Sequence, residues 1–303
     1  MSHAGAALLV ELADRVGLTA GLSDVLASTR ERRSAYDPGR VITDVAVMLA
    51  DGGDCVTDIE AYRGQERLFG PKASETTTHR VLKSIDEQLL ERIRAARAAA
   101  RGRVWDAGAR PETITLNIDA TLLAAHSDKE LAAGTYKHGF GFHPICCYLD
   151  ETGEALAAIL RPGNAGSNTA ADHFDVVGLA LEQFPAEDLD REILVRADIG
   201  GATHAFCADC READIRFSVG YELNDTVRQA IVGLPGVAWV PAIEPDGEIR
   251  DGAWVAELTD RVERRTRVAP PRPRPSRRQH PRCQGLRHAQ PAPLRLRAQP
   301  DVA

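Results

Sequence analysis

The chain has 303 residues, 27% of them charged and 44% hydrophobic, a balance that suits a folded protein with a real core and excludes a wholly disordered one. No run approaches the roughly 18 uninterrupted apolar residues of a membrane helix, and the start, MSHAGAALLVELADR, has no basic flank before its short apolar run, so a cytoplasmic protein without membrane partners is expected. The net charge of −7 hides a split, −17 over residues 1–260 against +10 over 261–303; the acidic part disfavours strong non-specific affinity for DNA.

Residues 1–110 read as a helical module. Leu8, Leu9, Leu12 and Val16, then Val41, Val45, Met48 and Leu49, recur at three-to-four spacing, the period of a helix face. Turn clusters at 34–39 (SAYDPG) and at Phe69-Gly70-Pro71 punctuate it. Ser74 is expected to open a helix with Thr77 and Thr78 in its first turns, running through Arg80, Leu82 and Ile85; a packing role and a DNA-facing role are both open for it. In ERIRAARAAARGR (91–103), Arg94, Arg97 and Arg101 fall on one side of an Ala-rich helix. They read either as a stripe that contacts phosphates or as a solvated face leading into a linker.

From Pro111 the period changes. TITLNIDA (113–120) alternates, with Ile114, Leu116 and Ile118 on one face and Thr115, Asn117 and Asp119 on the other. FHPICCYLD (142–150), a turn at Glu151-Thr152-Gly153 and EALAAILRPG (154–163) read as a hairpin. Ser167 or Asn168 is expected to cap a helix running through Phe184. Ile193-Leu194-Val195 is then an apolar run typical of a strand buried on both faces, and Asp198 stands where it stops. A helix from Gly200-Gly201 to about Arg211, a strand in IRFSVGY (215–221) and a short helix in NDTVRQAIVG complete a βββαβαβα order. The segment 261–303 holds eight of the 17 prolines, no lysine and no amphipathic period. That composition fits a disordered tail, or the product of a frame-shifted, GC-rich reading frame.

Asp119 and Asp198 acquire a joint meaning if their strands are parallel neighbours, about 4.8 Å apart, because the two carboxylates then share one site beyond the strand ends. Two adjacent carboxylates repel unless a cation lies between them. A hard ion, Mg²⁺ or Mn²⁺, suits such oxygen ligands, with waters and a substrate phosphate completing the octahedron. A pair of such ions activates an attacking oxygen and stabilises the leaving oxygen of an in-line displacement at phosphorus. An aspartate that ends a strand is also a common turn former, and topology alone leaves both readings open. Six cysteines, Cys55, Cys146, Cys147, Cys207, Cys210 and Cys283, are too few and too irregularly spaced for a disulfide framework and are expected to be reduced. Cys207-x-x-Cys210 lacks the second ligand pair of a structural zinc site. His173 and His204 read as packing or capping residues.

The strings GGDCVTDIEAYR (52–63), ITLNIDATL (114–122), YKHGFGFHPICCYLD (136–150), LRPGNAGSNTAADH (160–173) and LVRADIGGATHAF (194–206) resemble bacterial insertion-sequence DDE transposases, specifically the thirteen-eighty family with the group 1 DDE domain. The resemblance implies an α/β fold, an RNase H-like mixed sheet (βββαβαβ) flanked by helices. It divides the chain into a helical DNA-binding module (1–110), an incomplete catalytic core (111–235), the start of a β-rich insertion (236–260) and an Arg/Pro-rich, disordered, out-of-frame tail (261–303). VAWVPAI (237–243) and AWVAEL (253–258) would be the insertion's opening strands. Asp119 matches the first catalytic aspartate and Asp198 the second, each a ligand of Mg²⁺ or Mn²⁺; Ile199 stands where the family usually has serine. Lys137, His138 and His143 lie in the segment after the first strand, where an approach to DNA phosphates is expected.

The implied activity is metal-dependent cutting of phosphodiester bonds at transposon ends by water, followed by attack of the freed 3′-hydroxyl on target DNA. Terminal inverted repeats and target DNA are the expected partners, and a homo-oligomer is compatible with the family. The family's final glutamate belongs on a helix beyond the insertion, yet the pattern breaks near Asp260, and Glu263 in RVERRTR has no helical apolar context. With permitted codons, 276–303 shifts by one frame to VEDNIRDAKDSGMRNLPLSAFAHNQTW, which resembles the family segment carrying that glutamate. A chain without its third carboxylate is expected to cleave poorly or not at all. The alternatives are a DNA-binding remnant that inhibits full-length transposase, and an inert product.

Overall fold

Capping side chains set out the first part of the chain. In the computed structural model, which describes residues 3–30, 35–166, 169–244 and 246–258, helices α1 (Ala4–Arg15) and α2 (Leu18–Leu26) are joined through Gly17 in the left-handed region. Asp37 caps α3 (Pro38–Ala50), its carboxylate accepting from the Arg40 N–H at 2.9 Å, with Pro38 at the first helical position. The short helices α4 (Glu60–Arg63) and α5 (Glu66–Phe69) follow, and the turn expected at Phe69-Gly70-Pro71 ends the second. Ser74 caps α6 (Glu75–Lys83) as expected, but this helix stops short of Ile85, because Asp86 caps a new one, α7 (Glu87–Val104), accepting from the Leu89 N–H at 2.8 Å.

Ala6, Val10, Val47, Met48, Ile59, Tyr62 and Phe69 form the core of this helical region. Leu8, Leu9, Leu12 and Leu49 are exposed, which corrects the expected apolar faces. The periodicity identified the helices correctly, yet α1 turns the smaller Ala6, Val10 and Ala13 inward because those positions face α3. Inside the region the Lys72 ammonium pairs with Asp44 at 2.7 Å, both side chains almost fully covered. Burial pushes the Asp44 carboxyl up, against the lowering effect of Lys72 and Arg40.

The sheet begins with β1 (Ile114–Ala120), whose Ile114, Leu116 and Ile118 are buried as the alternation required. Three short strands, β2 (Leu123–Ala124), β3 (Ala133–Gly134) and β4 (Phe140–Phe142), make a small antiparallel sheet in the order β2-β4-β3 that the sequence did not announce. Gly141 is obligatory there: its φ is +152°, and a Cβ would stand 2.1 Å from the Leu123 carbonyl oxygen. The expected hairpin is β5 (Ile145–Leu149) with β6 (Glu154–Ile159), and β5 also pairs antiparallel with β1, Asp119 facing Cys146 and Leu116 facing Leu149. Helix α8 (Ala170–Leu181), shorter than the expected run to Phe184, buries Val176, Val177 and Ala180, and α9 (Ala186–Leu189) leads into β7 (Ile193–Ala197). The order β6-β5-β1-β7 places β1 and β7 side by side.

The direction of that pair follows from a buried carboxylate. Asp188, 1% exposed, accepts from Arg110 at 2.6 Å and from Arg191 at 3.1 Å, and the same Arg191 guanidinium donates to the carbonyls of Pro111 (2.6 Å) and Glu112. Arg191 stands just before β7, and Pro111 and Glu112 just before β1. Seven residues of strand span about 20 Å, far beyond the reach of one arginine, so the two strands start at the same end and run parallel. This is the mixed sheet expected of an RNase H-like core.

The chain divides into two compact units, Met1–Gly166 with Ala171–Arg196, and Ser167–Ala170 with Ala197–Ala303. The second contains α10 (His204–Glu212), β8 (Arg216–Val219), α11 (Asp225–Val232) and the antiparallel pair β9 (Val240–Ile243) and β10 (Ile249–Val255). The helix expected from Gly200-Gly201 is instead a single 3-10 turn, and α10 begins later, capped by Thr203. The expected caps Ser167 and Asn168, Glu263 and the tail 261–303 lie outside the described residues. Among the described residues no helix is long and apolar enough to cross a membrane.

Removing the Asp188 charge leaves two guanidiniums without their shared partner. Asp188→Asn is expected to lower stability by about 2–3 kcal/mol, below the usual figure for a fully buried pair because Arg110 and Arg191 are partly exposed. Asp128→Asn, at an exposed site, should stay within about 0.5 kcal/mol. Urea unfolding of the two variants measures the contrast; equal midpoints would remove Asp188 as the organiser of the strand starts.

Candidate functional site

Asp119 is the sixth residue of β1, on the face opposite Ile114, Leu116 and Ile118, and its side chain is exposed. No hydrogen bond or ion pair engages its carboxylate among the described residues. Around it stand polar groups of the same face. Asn117 and Arg196 both contact Asp150, Arg196 at 2.9 Å, and Tyr148 and Cys146 lie two apart on β5, on the same side of that strand. The neighbouring Cys146 side chain, then partial burial and the Asp119 charge, hold the Tyr148 hydroxyl above its ordinary range.

Asp198 directly follows β7 and is exposed. Its Oδ1 accepts from the Gly200 N–H at 2.8 Å, closing the turn Ile199–Gly201 and leaving Oδ2 outside that bond. Gly220 holds the turn from behind. Its N–H donates to the Ala197 carbonyl at 3.0 Å, and a Cβ on it would lie 2.9 Å from the Ile199 nitrogen and 3.1 Å from the Asp198 carbonyl carbon. Ile199 is half exposed beside the aspartate.

Each carboxylate is thus presented by the end of a strand, is exposed, and has no cationic partner among the described residues. That donor chemistry fits a hard divalent ion, which takes one or two carboxylates and keeps several waters. No group of three or more His, Cys, Asp or Glu side chains positioned for a metal exists among the described residues. Cys207 and Cys210 lie one turn apart on α10; burial pushes the Cys210 thiol up to about 12 and raises Cys207 as well, the behaviour of packed thiols.

The residues expected near DNA divide into two kinds. Lys137 and His138 are exposed at the tip between β3 and β4, closed by the His138 N–H to Thr135 carbonyl bond at 3.0 Å. His143 is 3% exposed, with Nδ1 at 3.0 Å from the Ala165 carbonyl; its expected approach to phosphates is corrected to a packing role. The arginines of α7 also part company. Arg101 is buried between the Trp105 and Phe184 rings and donates to Glu154 (3.0 Å) and to the Gln183 carbonyl (2.6 Å). Arg97 donates to the same Glu154 at 3.1 Å and to the Ala155 carbonyl. Both fasten α7 to β6, while Arg94 lies within electrostatic range of Glu182. Sequence reasoning missed Cys146 and Tyr148 as neighbours of Asp119. Alternation within FHPICCYLD sends them to one face, but only the β1/β5 register puts that face beside the aspartate.

The family profile described as "Transposase DDE domain group 1" matches residues 1–270. No curated protein matches the chain. Among solved structures, "Mos1 transposase paired-end complex with left transposon end" is 9% identical, with a TM-score of 0.25 over 62% of this chain and 60% of that one. "Crystal structure of a pre-cleavage Mos1 transpososome" is 10% identical at TM-score 0.25, over 62% and 61% of the two chains. "Crystal structure of the Mos1 mariner paired end complex with Mn" is 11% identical at TM-score 0.25, over 62% of each. The chain therefore spans about 60% of the length of the first Mos1 chain it matches.

The tight approach of Gly220 gives a local test. Gly220→Ala is expected to lower stability by about 1–3 kcal/mol through overpacking and to speed amide hydrogen exchange at Gly200, whose N–H depends on the Asp198 turn. Unchanged exchange at Gly200 would show that the turn does not lean on Gly220.

Proposed function

The chain belongs to the transposase DDE domain group 1 family, and from that premise we propose that it is a DNA transposase of a bacterial insertion sequence, of the thirteen-eighty type, built to cut phosphodiester bonds at its own element's ends. Asp119 and Asp198 are the residues that would hold Mg²⁺ or Mn²⁺. The observation that carries this reading is the clamp at the start of β1 and β7. The clamp fixes where each strand begins, and each strand presents an exposed aspartate near its own end, Asp119 as the sixth residue of β1 and Asp198 directly after β7.

When bound, the ion supplies Lewis-acid polarisation of the scissile phosphate and a more acidic attacking hydroxyl. The side chains do the rest of the work by position. Asp198 is fixed by the Gly200 N–H through Oδ1, which would leave Oδ2 to take the ion. Asp119 offers both oxygens. Lys137 and His138, with Arg94 on α7, are the groups proposed to meet DNA phosphates, whereas Arg97 and Arg101 are committed to Glu154 inside the protein. Such contacts position the duplex without reading its sequence.

Catalytic output is proposed to be low. Beyond Asp260 the sequence offers only Glu263 before the Arg/Pro-rich segment, and the family-like glutamate appears only in the shifted frame of 276–303. Two carboxylates in place of three would hold a divalent ion less firmly.

The test uses the purified full chain with duplexes carrying the element's terminal inverted repeats. End-specific, salt-dependent binding is expected, with Mn²⁺ affinity falling at least about tenfold in Asp119→Asn and in Asp198→Asn, and little or no cleavage. Efficient cleavage abolished by Asp119→Asn would overturn the impairment but keep the transposase. End binding without cleavage and without any Mn²⁺ site would leave the inhibitory DNA-binding remnant. Absence of both end preference and Mn²⁺ binding would overturn the function.

A further inference from the structure

The first aspartate of the site has a thiol as its cross-strand partner. In the β1/β5 register Asp119 faces Cys146, and directly opposed residues of an antiparallel pair share a face with Cβ atoms about 4.5–5.5 Å apart. Ile145, Cys147 and Leu149 fill the opposite, core-facing side of β5 and are fully buried, so Cys146 and Tyr148 are turned to the Asp119 face. Cys146 is a free, half-buried thiol. No hydrogen bond or ion pair engages the Asp119 carboxylate among the described residues.

We propose that Asp119 and Cys146 together form a binding pair for thiophilic divalent ions, so that Zn²⁺ or Cd²⁺ competes with Mg²⁺ or Mn²⁺ at the first aspartate. Donor geometry permits it. A zinc ion at about 2.1 Å from a carboxylate oxygen and 2.3 Å from a sulfur spans an O···S separation of roughly 3.6 Å at a tetrahedral angle, within reach of two side chains with Cβ atoms this close. Coordination forms one metal–sulfur and one metal–oxygen bond and releases the thiol proton to solvent; no oxidant or reductant takes part. Softness decides the selectivity. Mg²⁺ takes oxygen donors and gains nothing from the thiol, whereas Zn²⁺ and Cd²⁺ gain a ligand that an oxygen-only site denies them. Water fills the remaining positions, since Asp119 and Cys146 supply two donors only.

The binding pair stands on the β1/β5 register alone; its consequence, that a thiophilic ion blocks DNA cutting, rests on the proposed transposase function. The experiment therefore reads metal binding directly. In the full chain, with Cys55, Cys207 and Cys283 changed to Ser, Cys146 is the remaining thiol outside the core. Cd²⁺ titration is followed by its ultraviolet sulfur-to-metal charge-transfer band, with Mn²⁺ affinity measured in parallel by electron paramagnetic resonance. One equivalent of Cd²⁺ is expected to raise the band and displace Mn²⁺. Cys146→Ser should abolish the band while retaining Mn²⁺ binding, and Asp119→Asn should weaken Cd²⁺ at least about tenfold. A band that survives Cys146→Ser, or a Cd²⁺ affinity indifferent to Asp119→Asn, would overturn the pair. The Asp119 arm keeps its force even where the cysteine variant fails to fold. A parent chain that binds Cd²⁺ through both residues but never binds Mn²⁺ would uphold the pair and count against the transposase reading instead.

Discussion

One buried carboxylate aligns the two strands on which the account of this protein rests. Asp188 takes a guanidinium from each side, Arg110 ahead of β1 and Arg191 ahead of β7, and Arg191 also bonds the backbone at Pro111 and Glu112. A carboxylate out of water is unfavourable unless charge and hydrogen bonds surround it, and here both are supplied by residues that must then stay together. The alignment costs β1 and β7 little of their own composition, which remains free to serve the core on one face. Near the end of each strand stands an aspartate, Asp119 as the sixth residue of β1 and Asp198 directly after β7.

Alternation does the second part of the work. β1 sends Ile114, Leu116 and Ile118 into the core and leaves Asn117 and Asp119 outside; β5 sends Ile145, Cys147 and Leu149 inward and leaves Cys146 and Tyr148 outside. Period-two geometry thus assembles one apolar face and one reactive face from the same residues. A thiol beside a carboxylate is an accident of register that alters the ion preference of the site. Behind Asp198 the corresponding constraint is a missing side chain, since Gly220 approaches the turn more closely than any Cβ allows.

Much of this was legible in the sequence, for physical reasons. Strong alternation in TITLNIDA, the hairpin around Glu151-Thr152-Gly153 and the apolar run at Ile193-Leu194-Val195 carry a period, and the strands lie where the period is. The two- and three-residue strands β2, β3 and β4 are too short to have one. Helix existence was likewise readable near the N-terminus, but the covered side of α1 was not, because which face meets α3 is a tertiary fact and the larger leucines lost to Ala6, Val10 and Ala13. The arginines of α7 illustrate the same limit. Three-to-four spacing places them on one side of a helix, but that side can meet water, DNA or Glu154, and Arg97 and Arg101 meet Glu154. His143 looked available in the sequence for want of any sign that Ala165 would close over it.

The proposed function requires both Asp119 and Asp198 to bind the metal ion. Iron-directed cleavage tests it most directly: Fe²⁺ substituted for the native ion in the full chain, with ascorbate and peroxide, generates hydroxyl radicals that cut the backbone close to where the metal sits. Two cut sites are expected, around Asp119 and around Asp198, appearing together, and both disappearing when either aspartate is changed to asparagine. Cuts near one aspartate that persist after loss of the other, or cuts at neither, would contradict that requirement.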